Sequence, residues 1–203
     1  MKIGILNYGL GNVGSVYSAF EFYNHKVSLV SNLNDLDIND VIVLAGVGNF
    51  KTAVFKLREH NLIEALNESV MVKKKPVIGI CLGMQLFAGV SYEGDRNEGF
   101  GWLRGRVVKM EGGSFRVPHI GWNSVSTLNG ELFKNMIHKS FYFMHSYHFI
   151  PEEKDVVVAT TKHGDLDIVS AVRKDNIIGV QFHPEKSQGD GLRFLRNCIE
   201  ALI

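Results

Sequence analysis

The sequence predicts an α/β fold: a three-layer sandwich with a central, mostly parallel sheet and antiparallel strands in the C-terminal half. In the first half, short apolar runs show little polar alternation, which is typical of parallel strands buried on both faces. Longer amphipathic segments separate these runs, and such strand–helix alternation implies right-handed crossovers. From about Gly99, apolar runs follow one another with short turns, which favours antiparallel strands. We expect one domain, residues 1–203.

The first half contains four predicted strands and two predicted helices. The strands are the apolar runs at residues 3–6, 27–30, 41–45 and 77–81. The helices are amphipathic segments at residues 12–23 and from 50 to about 72. The second helix has an apolar stripe that should face the sheet. The stripe consists of Val54, Leu57, Leu62, Ala65 and Leu66.

The second half contains predicted antiparallel strands and two predicted helices. The strands are at residues 106–110, 140–145, 156–161, 168–173 and 177–182. The helices are at about 132–137 and at 191–203. In the last helix Cys198 lies at helical spacing from Leu195 and Ile199, so we expect it in the core.

The composition excludes several classes of protein. The chain is 45% hydrophobic with a net charge of +1, which argues against disorder and against nucleic-acid binding by bulk charge. No apolar run approaches the ~18 residues of a membrane span. The two cysteines, Cys81 and Cys198, form no disulfide framework, which indicates free thiols and a cytoplasmic location.

A glycine motif follows the first strand: Gly9, Gly11 and Gly14 match the G-x-G-x-x-G pattern of dinucleotide sites. Such sites also need an acid at the end of the second strand to bind the ribose. Here that strand ends at Val30, and Asp35 lies further into the loop. We therefore favour a tight turn over a nicotinamide site, and we expect no cofactor.

Cys81 lies at the end of the fourth strand, between Gly79 and Gly83. This is the G-x-S-x-G nucleophile elbow with sulfur in place of oxygen. The elbow exposes the nucleophile at the carboxyl end of a parallel sheet and at a helix N-terminus, which favours a thiolate. It also directs the backbone N–H of Leu82 toward a developing oxyanion. The sequence thus predicts a cysteine nucleophile, with a buried structural cysteine as the alternative.

His183 is the predicted base. It ends an apolar strand, so it should lie at the same sheet edge as Cys81, and Pro184 keeps the chain extended there. Residues two apart in an extended chain point to the same side, so Glu185 should orient the imidazole. The segment after the third strand should supply the second oxyanion donor, because its two glycines, Gly46 and Gly48, let backbone amides turn inward.

A metal site is not expected. His145 and His148 are close in sequence, but no cysteine or acid completes a ligand set beside them.

With these residues in place, the chain resembles the class I glutamine amidotransferases, and within them the glutaminase subunits of imidazole glycerol phosphate synthase. The resemblance spans nearly the whole chain, and one departure is Ala45, where the family usually has proline. The segments that carry it are Asn7-Tyr8-Gly9-x-Gly11-Asn12, Gly46-Val47-Gly48-x-Phe50, Ile80-Cys81-Leu82-Gly83-Met84-Gln85, Pro118-His119-x-Gly121-Trp122-Asn123 and His183-Pro184-Glu185-Lys186-Ser187.

The resemblance implies a glutaminase. Cys81 would attack the amide carbon of glutamine, His183 would transfer the proton to the leaving ammonia, and Glu185 would orient His183. Amides near Val47, Gly48 and Leu82 would hold the oxyanion.

The resemblance also implies the residues that bind glutamine. Gln85 and Glu93 match residues that hold the α-amino end, and Ser146 and Tyr147 match the backbone that receives the α-carboxylate. Gly46 belongs to the same substrate-binding set.

The implied partner is a (β/α)8 cyclase subunit that receives the ammonia in a heterodimer and makes imidazole glycerol phosphate and AICAR in histidine biosynthesis. Asn12, Trp122 and Lys186 match positions that face this partner. A communicating interface predicts weak glutaminase activity alone and a large rise with the liganded partner.

Two alternatives stay open at this point. One is a paralogous glutaminase that supplies ammonia to a sugar amidotransferase for surface polysaccharide, which Ala45 and the segment Gly99-Phe100-Gly101-Trp102 bring into consideration. The other is a non-catalytic assembly subunit with the same fold.

Overall fold

The computed structural model describes residues 1–111, 113–128 and 130–202. The strands in these ranges, numbered along the chain, are β1 (Lys2–Leu6), β2 (Lys26–Val30), β3 (Val41–Gly46), β4 (Val77–Cys81), β5 (Val90–Ser91), β6 (Asn97–Glu98), β7 (Gly105–Lys109), β8 (His119–Ser124), β9 (Ser126–Thr127), β10 (Ser140–His145), β11 (Tyr147–Pro151), β12 (Val157–His163), β13 (Leu166–Lys174) and β14 (Ile177–Val180).

The α-helices of the described ranges are α1 (Val13–Glu21), α2 (Leu33–Asp37), α3 (Phe50–Glu59), α4 (Ile63–Asn67), α5 (Leu82–Gln85) and α6 (Gln188–Ala201). A π-helical turn, Glu68–Val72, follows α4. No helix in the described part of the chain is long and apolar enough to span a membrane.

The central sheet has the strand order β2-β1-β3-β4-β14-β13-β12-β9. Its first five strands run parallel, and the last three continue it in antiparallel pairings. A smaller sheet has the order β11-β7-β5-β6, and β8 pairs with β10 in a two-stranded sheet. The predicted mostly parallel sheet with antiparallel additions is confirmed.

The three-layer arrangement is visible along β3, which is buried on both faces. Val41, Val43 and Ala45 pack into one hydrophobic cluster, which also holds residues of α1 and α6. Ile42 and Leu44 pack into a second cluster on the other face of the sheet, which holds residues of α3 and α4. Cys198 lies in the first cluster and is fully buried, as expected.

Two predicted helices were wrong in extent. The helix expected from residue 50 to 72 is interrupted after Glu59, because Asn61 adopts a positive φ of 53° that no α-helix accommodates. The helix expected at 132–137 is a single 3₁₀ turn, Glu131–Phe133, and the chain beyond it becomes extended at Lys134.

Strand pairing in the C-terminal half also differs from the prediction in one respect. The run at 177–182 was grouped with the antiparallel strands, but β14 pairs parallel to β4 and antiparallel only to β13. This pairing makes β14 the strand where the sheet changes direction. It also brings the end of β14 beside the end of β4, where Cys81 lies.

Candidate active site

Cys81 occupies a strained turn between β4 and α5. Its backbone has φ 54° and ψ −107°, a conformation that residues with a side chain rarely adopt. The flanking glycines are required by close packing. A Cβ at Gly83 would overlap the carbonyl oxygen of Leu44, and a Cβ at Gly79 would overlap the ring of Phe87. The geometry is that of the nucleophile elbow.

The imidazole of His183 is held against Glu185. Nδ1 of His183 lies 2.8 Å from Oε1 of Glu185, and the two side chains are only 2% and 3% exposed. The backbone N–H of His183 donates to the carbonyl of Tyr142 at 2.8 Å. The Ser187 hydroxyl donates to the carbonyl of His183 at 2.6 Å and accepts from the N–H of Tyr142 at 2.9 Å. His183 is thus fixed from both sides.

The charge state of His183 depends on Cys81. Burial lowers the pKa of this imidazole, but the charge and hydrogen bonding of the Cys81 thiolate, followed by those of Glu185, raise it overall to about 10. Its Nε2 is buried, and the sulfur of Cys81 is the group whose charge and hydrogen bonding act on this side of the ring. A protonated imidazole beside the sulfur favours a thiolate, the reactive form of cysteine.

A pocket of about 290 Å³ opens onto the sulfur. The sequence-predicted residues Val47, Gly48, Cys81, Leu82, Gln85, Glu93, Ser146 and Tyr147 all line it, together with Pro118, Met144 and His145. His183 and Glu185 line a separate, much smaller cavity of about 10 Å³ together with Gly46 and Asn12. The structure therefore brings most of the expected substrate-binding residues together in one pocket, whereas Gly46 lines the smaller cavity.

Gln85 and Glu93 are both anchored in the pocket wall. Nε2 of Gln85 donates to the carbonyl of Tyr147 at 2.8 Å and to Oε1 of Gln181 at 3.0 Å. Oε2 of Glu93 accepts the backbone N–H of Phe50, the first residue of α3, at 2.7 Å. Such bonds hold polar groups at fixed positions around a ligand.

The expected oxyanion amides follow β3, which pairs with β1 on one side and with β4 on the other. Gly46 is the register partner of Cys81 between β3 and β4, and Gly48 has a φ of 121°, which a glycine adopts without strain. The Tyr8 hydroxyl donates to the carbonyl of Ala45 at 3.2 Å. Burial, and then the charge of Cys81, raise the pKa of Tyr8, so it remains a neutral donor.

The glycine motif forms a tight turn. Gly9 and Gly11 have positive φ values, and a Cβ at Gly11 would lie 3.1 Å from Cα of Gly46, so the loop packs closely on the end of β3. Asn12 caps α1 through Ser15. Asp35 accepts the N–H of Ser31 and belongs to the local turn at the end of β2.

The three residues expected to face a partner lie near residues that contact His183, namely Tyr142 and Glu185. Trp122 is 48% exposed and meets Tyr142 edge to face. Nζ of Lys186 lies 6.0 Å from the centre of the Tyr142 ring. Asn12 is exposed and lines an open cavity of about 580 Å³ together with Glu185.

Two buried residues at the site were missed by the sequence analysis. Gln181 is fully buried and its Nε2 lies 3.6 Å from Sγ of Cys81. Its position was accessible in principle, because it lies two residues before His183 in an extended chain. His119 is also buried, and its ring nitrogen lies 3.1 Å from that of His145.

No group of three or more metal-ligating side chains converges in the part of the chain that the structure describes. His145 bonds to His119 and to the carbonyl of Tyr147.

Comparison with known proteins agrees with this geometry. Residues 5–202 match the family described as glutamine amidotransferase class-I. The chain is 42% identical to imidazole glycerol phosphate synthase subunit HisH of Pelagibacter ubique, with 98% of this chain and 99% of the relative covered. The HisH subunit of Pyrococcus furiosus is also 42% identical, with 97% of each chain covered.

Solved structures share the fold. A crystal structure of a glutamine amidotransferase superposes with a TM-score of 0.77 at 19% identity, covering 98% of each chain. PurLQS from Thermotoga maritima superposes with a TM-score of 0.69 at 19% identity, covering 100% of this chain and 99% of that one.

Proposed function

Because this chain belongs to the class I glutamine amidotransferases, and within them to the HisH subunits of imidazole glycerol phosphate synthase, we propose that it hydrolyses glutamine and channels the ammonia to a cyclase partner in histidine biosynthesis. The observation that carries the proposal is the arrangement of Cys81, His183 and Glu185 at adjacent strand ends, beside a pocket of about 290 Å³.

Catalysis begins with the Cys81 sulfur. The thiolate attacks the side-chain amide carbon of glutamine, and a C–S bond forms while the carbonyl oxygen becomes an oxyanion. Backbone amides of Val47, Gly48 and Leu82 stabilise this oxyanion. His183, held by Glu185, then donates its proton to the departing nitrogen, so the C–N bond breaks and ammonia leaves.

Hydrolysis of the γ-glutamyl thioester completes the cycle. His183, now neutral, takes a proton from a water molecule, whose oxygen attacks the thioester carbon. The C–S bond breaks, glutamate forms, and the thiolate and imidazolium are restored. Glu185 stabilises the imidazolium at both stages.

Glutamine binding is assigned to the pocket walls. Gln85 and Glu93 hold the α-amino end, and backbone groups of Ser146 and Tyr147 receive the α-carboxylate. Their convergence on one pocket supports this assignment. Gly46 is proposed to belong to the same set, and its pairing with Cys81 between β3 and β4 supports this.

The partner is proposed to be a (β/α)8 cyclase subunit, which forms a cytoplasmic heterodimer with this chain. The cyclase partner is proposed to use the delivered ammonia to make imidazole glycerol phosphate and AICAR, which is the lyase activity of the complex. Asn12, Trp122 and Lys186 are the proposed contacts, and their position beside His183 supports a short path for ammonia.

Covalent labelling tests the glutaminase. A glutamine-like chloroketone should add one equivalent to Cys81, and mass spectrometry of the digested protein should locate it there. Free glutamine should protect the site, and Cys81→Ala should abolish the labelling. An unlabelled chain in the complex would indicate a non-catalytic subunit.

Complementation tests the ammonia acceptor. The wild-type chain, together with its own cyclase, should restore growth without histidine to a strain that lacks both subunits, and Cys81→Ala should not. Labelling at Cys81 without complementation would assign the chain to the sugar-modifying paralogue.

A further inference from the structure

A line of hydrogen bonds leads from β8 to the rim of the pocket. Nδ2 of Asn123 lies 3.2 Å from Nε2 of His119, and Nδ1 of His119 lies 3.1 Å from Nε2 of His145. Nδ1 of His145 lies 2.9 Å from the carbonyl oxygen of Tyr147. We propose that Asn123, His119 and His145 are positioning residues: they form one hydrogen-bond chain, with a single donor-to-acceptor direction, that holds the Ser146–Tyr147 backbone at the rim of the pocket. That this backbone binds glutamine rests on the proposed function.

The hydrogen bonds of Asn123, at the end of this hydrogen-bond chain away from the pocket, fix which atoms donate and which accept. Oδ1 of Asn123 accepts the N–H of Ser124 at 2.8 Å, and Nδ2 donates to the carbonyl of Lys162 at 2.8 Å. The orientation of the amide follows from these two bonds, since a carbonyl can only accept. The second N–H of Nδ2 therefore points at His119, whose Nε2 must accept and carry no proton.

The two histidine tautomers follow from this end. A neutral imidazole has one protonated nitrogen, so His119 carries its proton on Nδ1 and donates it to His145. Nε2 of His145 then accepts, and its proton lies on Nδ1. The bond to Tyr147 requires the same tautomer of His145 independently. A carbonyl oxygen can only accept, so Nδ1 of His145 must carry the proton that it donates to the Tyr147 carbonyl.

Both rings are suited to remain neutral. Burial, and then the nearby His163, lower the pKa of His119 to about 4. Burial is also the main cause that lowers the pKa of His145 to about 3; its bond to Tyr147 acts in the opposite direction, and the nearby His119, His148 and His163 lower the pKa further. At neutral pH neither ring gains the extra proton, which would place two N–H groups against each other.

The chain ends on an atom of the pocket wall. The Tyr147 carbonyl accepts from His145 and also from Gln85, so both of its lone pairs are used. His145, Ser146 and Tyr147 line the pocket that opens onto Cys81. Holding this carbonyl from both sides fixes the orientation of the adjacent Ser146–Tyr147 backbone, and both residues line the pocket.

The first test reads the tautomers directly in the full chain. Nitrogen-15 NMR of histidine-labelled protein should show His119 and His145 each protonated at Nδ1 only, and unchanged between about pH 6 and 8. Spectra of His119→Phe and His145→Phe assign the signals. A proton on Nε2 of either ring, or titration of either ring within this pH range, would contradict the proposed hydrogen-bond chain.

The second test separates binding from chemistry, using labelling by a glutamine-like chloroketone. His119 is stacked between Phe143 and His163, so His119→Phe keeps an aromatic ring there and removes only the hydrogen bonds. This variant should raise the half-saturating concentration about tenfold and leave the maximal labelling rate within about twofold. The matched control is His163→Phe, which alters the stack outside the chain and should change neither value by more than about twofold.

The results also distinguish this proposal from the proposed function. Absence of labelling in the wild-type protein contradicts the glutaminase, while the NMR tautomers still test the chain. Equal half-saturating concentrations for wild type and His119→Phe, or a loss confined to the maximal rate, would overturn the positioning role.

Discussion

The side-chain amide of Gln181 bridges Cys81 and Gln85: its Nε2 is 3.6 Å from Sγ of Cys81, and its Oε1 accepts from Gln85. Because Oε1 is engaged by Gln85, the N–H₂ end must face the sulfur. A donor at this position stabilises a thiolate more than a neutral thiol. Gln181 therefore links Gln85, a proposed glutamine-binding residue, to the sulfur of Cys81.

Gln181→Leu should slow the reaction more than it weakens binding. We expect a kcat about tenfold lower, since one hydrogen bond to a charged group is lost, and a KM within about threefold. Alkylation of Cys81 by iodoacetamide at a fixed pH should also become slower in this variant. An unchanged alkylation rate would show that Gln181 does not act on the sulfur.

Gly83→Ala should prevent the elbow from forming, because the added methyl group would overlap the carbonyl of Leu44. We expect a loss of more than about 2 kcal/mol in the free energy of unfolding, measured by urea denaturation. Gly189→Ala is the matched control, since nothing lies within 4 Å of a Cβ there. It lies in α6 and should be neutral or stabilising by up to about 1 kcal/mol. Equal losses in the two variants would contradict the packing argument.

Protonation of His183 should make folding stability depend on pH. Burial lowers the pKa of this imidazole, but Cys81 and Glu185 raise it overall to about 10, above the unfolded value of ~6.5. The stabilisation is therefore complete below about pH 6.5 and is lost as the pH rises through about 10. The difference in unfolding free energy between wild type and His183→Gln should shrink over this window. In Glu185→Gln, which lacks one of the groups that raise the pKa of His183, the total loss should be smaller and should be complete at a lower pH. A difference that grows with pH would contradict this assignment.

The parts of the fold that could be predicted from sequence are those whose pattern is local. Strands β3 and β4 are buried on both faces and read as continuous apolar runs. Cys81 is the last residue of β4 and His183 follows β14, so the two residues converge once these strands are neighbours. Parallel pairing of β14 could not be read from its own composition, because the direction of pairing depends on which strand lies beside it.

The parts that were missed depend on tertiary contacts. Strand β8 buries His119 and exposes Ile120 and Trp122, the reverse of the usual alternation. His119 is buried because its ring is stacked between Phe143 and His163 and its nitrogens are bonded. No local pattern predicts such a pairing of distant rings. The donor role of Gln181 likewise needs the side chains of Gln85 and Cys81 in place.

Glu93 and Asp95 offer a matched pair of acids for the last prediction. Oε2 of Glu93 accepts the N–H of Phe50 at the start of α3, and its side chain lines the pocket. Asp95 is 80% exposed and pairs only with Lys51 among the described residues. Glu93→Gln retains an oxygen for Phe50 but removes the charge proposed to hold the glutamine α-amino group. KM for glutamine should rise about tenfold or more, in line with losing one charge-assisted bond, while kcat changes less.

Asp95→Asn should leave KM unchanged, because the surface ion pair that it removes contributes under about 1 kcal/mol and lies outside the pocket. Steady-state glutaminase assays of the complex provide both values, and a similar KM for the two variants would remove Glu93 from the binding site.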